Sequence, residues 1–175
     1  MGGNQPWTPG HWGVLRFARG RREPDDGDVN QSLDMEANRV RLDALSAAVI
    51  GMAIAVHRAL GPGLLESVYE AAMAHELTQS PLRFQRQVET PVWYKGIKLE
   101  CGYRTDFTVE DELIIELKAV NELLPVHHAQ LLTYLRLQRR TVGLLINFNV
   151  SVLKDGIRRI VTGPLFQESR FEPAE

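Results

Sequence analysis

A single cysteine, Cys101, stands in this chain of 175 residues. One thiol allows no disulfide within the chain and no cysteine zinc cluster, and a reducing cytoplasm is the simple expectation. Net charge is also close to nil: 20 Lys and Arg against 22 Asp and Glu leave -2. That excludes the strong overall field of many nucleic-acid binders, although a local basic face can coexist with a neutral total. Reading residue by residue, no apolar run reaches the roughly 18 residues of a membrane helix. The N-terminus has no basic start followed by an apolar stretch, so no signal peptide and no membrane partner are expected. Internal repeats are lacking, and nothing has the form of a Walker or dinucleotide loop; Gly61-Pro62-Gly63 reads as a helix junction. What is present is ordinary: 44% hydrophobic and 24% charged residues, in a length that suits one domain with a proper core.

The chain divides by composition. Residues 1–33 hold Gly2, Gly3, Gly10, Gly13, Gly20 and Gly27, three prolines and a mixed charge run, with no lasting period. Such a stretch cannot repay the entropy of ordering and reads as a disordered tail, in which Trp7, Trp12 and Phe17 could anchor a partner. Residues 34–165 read as the folded domain and 166–175 as a weakly patterned tail. From about Leu42 helical spacing begins, with Leu45, Val49, Met52, Ala53, Val56 and Leu60 on one face. After the Gly-Pro-Gly break, a second helix is predicted from about Leu64 to Gln79, with Leu65, Val68, Ala72, Met73 and Leu77 as its apolar side. Phe84–Tyr94 predicts a strand made irregular by Pro91, Lys95-Gly96 a turn, and Ile97–Val109 a strand interrupted near Gly102. Glu110-Asp111-Glu112 makes a tight polar connection to a third strand, Leu113–Ala119. A helix from about Pro125 to Gln138 and an apolar strand, Thr141–Phe148, follow. Val152–Val161 closes the domain as a hairpin or edge strand. The expected fold is α/β: the first strands antiparallel, and the strand after the helical crossover parallel to its partner.

The most informative segment is Leu113-Ile114-Ile115-Glu116-Leu117-Lys118-Ala119. A strand this apolar belongs inside the domain, yet it carries an acid and a base that period-2 geometry puts on one face. A carboxylate in a buried sheet costs several kcal/mol unless a partner or metal compensates. The plain alternative is a salt bridge in which Glu116 and Lys118 neutralise each other. The strand before it adds Asp106, ten residues ahead of Glu116 across a short turn. Antiparallel pairing brings these carboxylates close enough to share a cation, and oxygen ligands of this kind suit Mg²⁺ or Mn²⁺. Beside such an ion Lys118 can position a nucleophile or stabilise charge that develops on a phosphate.

Glu66 and Tyr69 share a helix face, as do Gln130 and Tyr134. Glu66 is a further catalytic candidate, against the reading of a solvated acid in the first helical turn; Gln130 can reach a substrate phosphate, against that of a surface glutamine. Adjacent His127 and His128 point about 100° apart on a helix and cannot easily hold one ion. His57, His75 and Cys101 read as packing or surface residues. Arg104, Arg136, Arg139, Arg140, Lys154, Arg158 and Arg159 give the C-terminal half a basic cast, which is either a phosphate track or a solvated face.

The run His57-Arg-Ala-Leu-Gly-Pro-Gly-Leu-Leu-Glu-Ser-Val-Tyr69, with Gly102-Tyr-Arg-Thr-Asp-Phe107, Ile115-Glu-Leu-Lys118 and His128-Ala-Gln-Leu-Leu-Thr-Tyr-Leu135, resembles the signature of the GxxExxY proteins. The resemblance covers about Leu42 to Val161. That bacterial family is grouped with the PD-(D/E)XK nuclease-like superfamily, whose restriction-endonuclease-like core runs helix, three strands, helix, strand. The resemblance implies Asp106 and Glu116 as metal ligands, Lys118 as catalytic lysine, Glu66 as the acid of the first core helix and Gln130 as the polar residue of the second. Thr105 stands where the motif has proline. The function so implied is Mg²⁺-dependent (or Mn²⁺-dependent) hydrolysis of DNA or RNA phosphodiesters, with a homodimer where two strands are cut. The alternative is a non-catalytic nucleic-acid- or protein-binding module that keeps the nuclease fold.

Overall fold

The structure is a computed structural model that describes residues 26–99 and 102–163. Trp7, Trp12, Phe17, Cys101 and the tail from 166 lie outside the described residues. The chain divides into two units at Met35 and Glu36. Of the first, the described part is helical.

Helix α1 spans Asp26–Leu60, so it begins well ahead of the start predicted near Leu42, inside the stretch read as a tail. Residues 36–41 are all exposed, so no apolar period marks them; good helix formers and the Glu36–Arg39 ion pair one turn apart carry the helix there. Within the second unit Leu42, Leu45, Val49, Ala53 and Val56 are buried, whereas Leu60 is exposed at the helix end. One expectation is corrected. By length and composition the helical stretch Leu33–Leu60 could cross a membrane, since a window of 18 of its residues reaches a mean hydropathy of 1.5 despite isolated charges. The buried stripe nevertheless belongs to the domain core.

Helix α2, Glu66–Thr78, buries Tyr69, Met73, Ala74 and Leu77. Its apolar side is rotated from the predicted one: Leu65 precedes the helix and is 75% exposed, and Val68 is also exposed. Tyr69 turns inward because both ends of the ring are used. The ring stacks on Phe148 at 4.5 Å, and its hydroxyl donates to Gly61 O (2.7 Å) and accepts from Leu64 N–H (3.1 Å). Gly61 and Gly63 have φ of 69° and 95°, which side chains other than glycine's rarely adopt.

Five strands form the main sheet: β1 (Phe84–Thr90), β4 (Tyr103–Val109), β5 (Leu113–Lys118), β6 (Val142–Asn147) and β7 (Ile157–Val161), in the order β1-β4-β5-β6-β7. A separate ribbon pairs β2 (Trp93–Tyr94) with β3 (Ile97–Lys98). Strands β1, β4 and β5 are antiparallel neighbours, and β6, reached through α3 (Pro125–Leu137), runs parallel to β5 as the crossover requires. The short helix α4 (Leu153–Gly156) takes the first part of the expected terminal hairpin, leaving β7 as an antiparallel edge strand.

Alternation along β5 divides the core. Leu113, Ile115 and Leu117 pack with α1 and α2, while Ile114 packs with Leu131, Tyr134 and Leu135 of α3. By the same alternation Glu116 and Lys118 share the α3 side of the sheet.

Candidate active site

Three features of the sheet bring the charged residues together. First, the β4–β5 ladder pairs Val109 with Leu113, Thr108 with Ile114 and Phe107 with Ile115. Beyond that point the Asp106 side chain takes over from the backbone: its Oδ2 accepts the Leu117 N–H at 2.8 Å. Second, the β1–β4 register skips Gln87, which lies between the Arg86–Phe107 and Val88–Thr105 pairs and has φ of 51°. The backbone is thus irregular on both sides of Asp106. Third, Lys118 ends β5 beside Asn147 at the end of β6, and the carboxyl ends of parallel strands are where open α/β sheets place ligands.

Glu116 is 2% exposed, and its Oε1 lies 2.5 Å from Lys118 Nζ, while Oε2 has no hydrogen-bond partner. Burial, then the charge of Asp106, pushes the Glu116 carboxyl up to about 7, despite the attraction of Lys118. Asp106 is raised too, by burial first, against the Leu117 hydrogen bond and Lys118, with Glu66 and Glu70 adding to the rise. Burial disfavours the Lys118 ammonium, but Glu116, Glu66 and Asp106 together outweigh it and hold that group above its ordinary value. The plain salt bridge that the sequence allowed is therefore present, and it leaves one buried carboxylate oxygen unanswered.

Glu66 opens α2 and is exposed, yet its charge reaches Asp106, Glu116 and Lys118. Gln130 is half-buried on α3 and donates through Nε2 to the Tyr134 hydroxyl at 2.7 Å. Tyr134 is buried; desolvation raises its phenol, and Glu116 and Asp106 add to that rise. Of the five residues singled out from the sequence, Glu116 and Lys118 touch and Asp106 bonds the intervening Leu117, whereas Glu66 on α2 and Gln130 on α3 make no hydrogen bond or ion pair to those three. Sequence reasoning missed Glu70, whose Oε1 accepts from Arg86 (3.0 Å) and Gln87 (2.7 Å) at the break in β1. Its spacing of one turn from Glu66 was a readable signal, whereas the irregular backbone at Gln87 was not.

Other candidates resolve structurally. His127 Nδ1 accepts the Leu124 N–H at 3.1 Å, which gives α3 a side-chain cap. His57 Nε2 lies 2.8 Å from Val150 O. In the basic cast, Arg140 pairs with Asp111 and Arg159 with Asp43, so those two guanidinium groups are already engaged. A cleft of 520 Å³ lined by Arg83, Arg139, Arg140 and the acids 110–112 lies at the turn end of β4 and β5, away from Glu116 and Lys118.

The sequence pattern of the PD-(D/E)XK nuclease superfamily matches residues 43–160. The chain belongs to the PD-(D/E)XK nuclease superfamily. The five-stranded mixed sheet with helices on both faces is consistent with a PD-(D/E)XK core, and Glu66, Asp106, Glu116, Lys118 and Gln130 all fall inside the matched span. Neither the curated proteins nor the solved structures give a significant match.

PD-(D/E)XK nucleases generally use divalent metals. Among the described residues no group of three His, Cys, Asp or Glu side chains is placed to hold an ion. Two carboxylates still suit a hard cation such as Mg²⁺, which commonly takes one or two protein carboxylates and completes its shell with water and substrate phosphate. The unanswered Oε2 of Glu116, beside the charge of Asp106, fits that arrangement.

Proposed function

We propose that this protein is a Mg²⁺- or Mn²⁺-dependent nuclease that hydrolyses phosphodiester bonds of DNA or RNA. The observation that carries the reading is the buried Glu116, with Oε1 on Lys118 and Oε2 unanswered, next to Asp106 on a splayed strand pair. A structural ion pair alone has no use for that arrangement, because an uncompensated buried carboxylate oxygen is costly.

In this reading Asp106 and Glu116 would hold the ion, which when bound would supply Lewis-acid activation at the phosphodiester. With the Glu116 carboxylate turned to an ion, Lys118 would be free to face the phosphate, where its ammonium would stabilise charge on the non-bridging oxygens. Glu66, exposed at the start of α2, adds negative charge at the edge of the site and orients water there. Gln130, steadied by Tyr134, donates to a phosphate oxygen. Cutting both strands of a duplex calls for two copies of the chain, and the single cysteine suits a reducing cytoplasm.

The near-neutral total charge favours one second reading, a binding module that keeps the fold without hydrolysis. Incubation of supercoiled plasmid, single-stranded DNA and RNA with Mg²⁺ or Mn²⁺ separates the two. The nuclease reading expects cleavage that Asp106→Asn and Lys118→Met each reduce by about a hundredfold or more, the order lost with a key electrostatic group. Cleavage undiminished in either variant, or absent throughout, abandons it.

A further inference from the structure

The β2–β3 ribbon is built in a way that folding alone does not account for. Its turn, Tyr94-Lys95-Gly96-Ile97, has φ of 49° at Lys95 and 78° at Gly96. That is the two-residue hairpin in which both central residues are left-handed, and it sets a rigid register. Trp93 stands opposite Lys98 and Tyr94 opposite Ile97, and Leu99 N–H donates to Val92 O at 2.8 Å to close the base. Cross-strand partners share a face, so each face of the ribbon carries a large aromatic ring. Neither face is buried: Trp93 is 42% exposed, Tyr94 59% and Ile97 66%. Lys95 and Lys98 are exposed as well, and the Lys95 ammonium sits over the Tyr94 ring, 5.4 Å from its centroid. Among the described residues these exposed aromatics and lysines make no side-chain hydrogen bond, ion pair or ring contact outside the ribbon, and they match a ligand with flat apolar faces and a negative backbone.

The ribbon also continues into the candidate site. It is the excursion between Thr90 at the end of β1 and Tyr103 at the start of β4, which pair with each other. Tyr103 is 41% exposed and meets Tyr134 edge-on, with ring centroids 5.5 Å apart. Tyr134 in turn holds Gln130, and its phenol feels the charges of Glu116, Lys118 and Asp106. The ribbon's base at Thr90 and Tyr103 thus adjoins the Tyr103–Tyr134 ring pair on the side of the carboxylates, with exposed Arg104 next along β4.

We infer that the ribbon is a stacking platform for single-stranded nucleic acid, whose unpaired bases lie on Trp93, Tyr94 and Tyr103 while Lys95, Lys98 and Arg104 track the phosphates towards Asp106 and Glu116. The inference rests on the nuclease reading for its destination and deepens it by naming the substrate class. Duplex bases are stacked on one another and offer no free faces to these rings, so the platform selects single strands or locally opened ones. It also reconciles nucleic-acid binding with a net charge of -2, since stacking needs no strong overall field.

The test is fluorescence anisotropy of the full chain with labelled oligo(dT), oligo(U) and a blunt mixed-sequence duplex, in EDTA so that nothing is cut. The wild type binds the single strands more tightly than the duplex. The Trp93→Ala/Tyr94→Ala variant loses about tenfold or more in single-strand affinity, in keeping with the worth of a base–aromatic stack. Trp93→Phe/Tyr94→Phe stays within about threefold, because it keeps flat rings, and a thermal melt confirms that both variants are folded. Unchanged single-strand binding in the alanine variant, a preference for duplex, or no binding of any oligonucleotide overturns the inference; the last would hand the ribbon to a protein partner. Cleavage in Mn²⁺ is followed in parallel. If single-strand binding depends on the rings but no variant cuts, the platform stands and the nuclease reading falls. If the wild type cuts and the alanine variant cuts with an unchanged KM, the nuclease reading stands and the platform falls.

Discussion

Replacement of Glu116 by glutamine probes the buried carboxyl through its effect on stability. The folded protein holds Glu116 at about 7, against an ordinary 4.5, because burial and Asp106 disfavour its charge. In an unfolded chain that group releases its proton near 4.5; in the native state it keeps it until about 7. The native state therefore binds more protons across this window, and stability falls as pH rises from 4.5 to 7. At roughly 1.4 kcal/mol per unit the loss is on the order of 3 kcal/mol, complete above pH 7 and absent below 4.5. Asp106 is raised as well and adds a loss of the same sign, whereas Lys118, held above its ordinary 10.5, titrates outside the window. Glutamine keeps the volume and one acceptor for Lys118 but cannot charge. Urea unfolding of metal-free protein at pH 5, 6, 7 and 8 reads the contrast. The stability of the wild type relative to Glu116→Gln should decline by about 3 kcal/mol between pH 5 and pH 8, on the order of 10 °C in melting temperature for a chain of this size. Parallel pH profiles for the two proteins would overturn this expectation, since Glu116 would then titrate alike in both states.

Lys118→Met leaves Glu116 buried without its ion-pair partner; a loss of about 3 kcal/mol is expected at pH 8 and less at pH 5, where Glu116 can take a proton, as urea midpoints will show. Tyr69→Phe keeps the stack on Phe148 but removes both hydroxyl hydrogen bonds at the α1–α2 junction, for a cost of about 1–3 kcal/mol measured in the same way. At Gly156 an added Cβ would run into the Asn147 carbonyl oxygen, so Gly156→Ala should lower the melting temperature by several degrees. At Gly143 the nearest atoms to an added Cβ belong to the buried Leu131 side chain, at 2.9–3.1 Å, rather than to backbone as at Gly156, so Gly143→Ala should cost less than Gly156→Ala.

The order of elements was legible because it rests on local signals. Gly-Pro-Gly after the first helix, Pro125 at the start of α3 and the apolar run over residues 142–146 each dictate a boundary that neighbours do not override. Asp106, Glu116 and Lys118 were legible for a related reason, since charges in an apolar strand stand out and period-2 geometry fixes their side. The face of α2 was misjudged because Leu65 and Val68 are apolar by type, whereas burial is decided by where Tyr69 can stack and bond. The early start of α1 was hidden because a helix with no buried face there leaves no period to read. Glu70 and Gln87 escaped because their meeting depends on a left-handed residue within a strand, a backbone feature that glutamine does not announce.

Whether Asp106 and Glu116 together hold one divalent cation decides between a working nuclease and a retained fold. Calorimetric titration of Mn²⁺ and Mg²⁺ at pH 8, with an oligonucleotide present, compares the wild type with Asp106→Ala/Glu116→Ala. One ion per chain bound by the wild type and none by the double variant is the predicted result. Equal binding by the two proteins, or no ion taken up by the wild type, would contradict it.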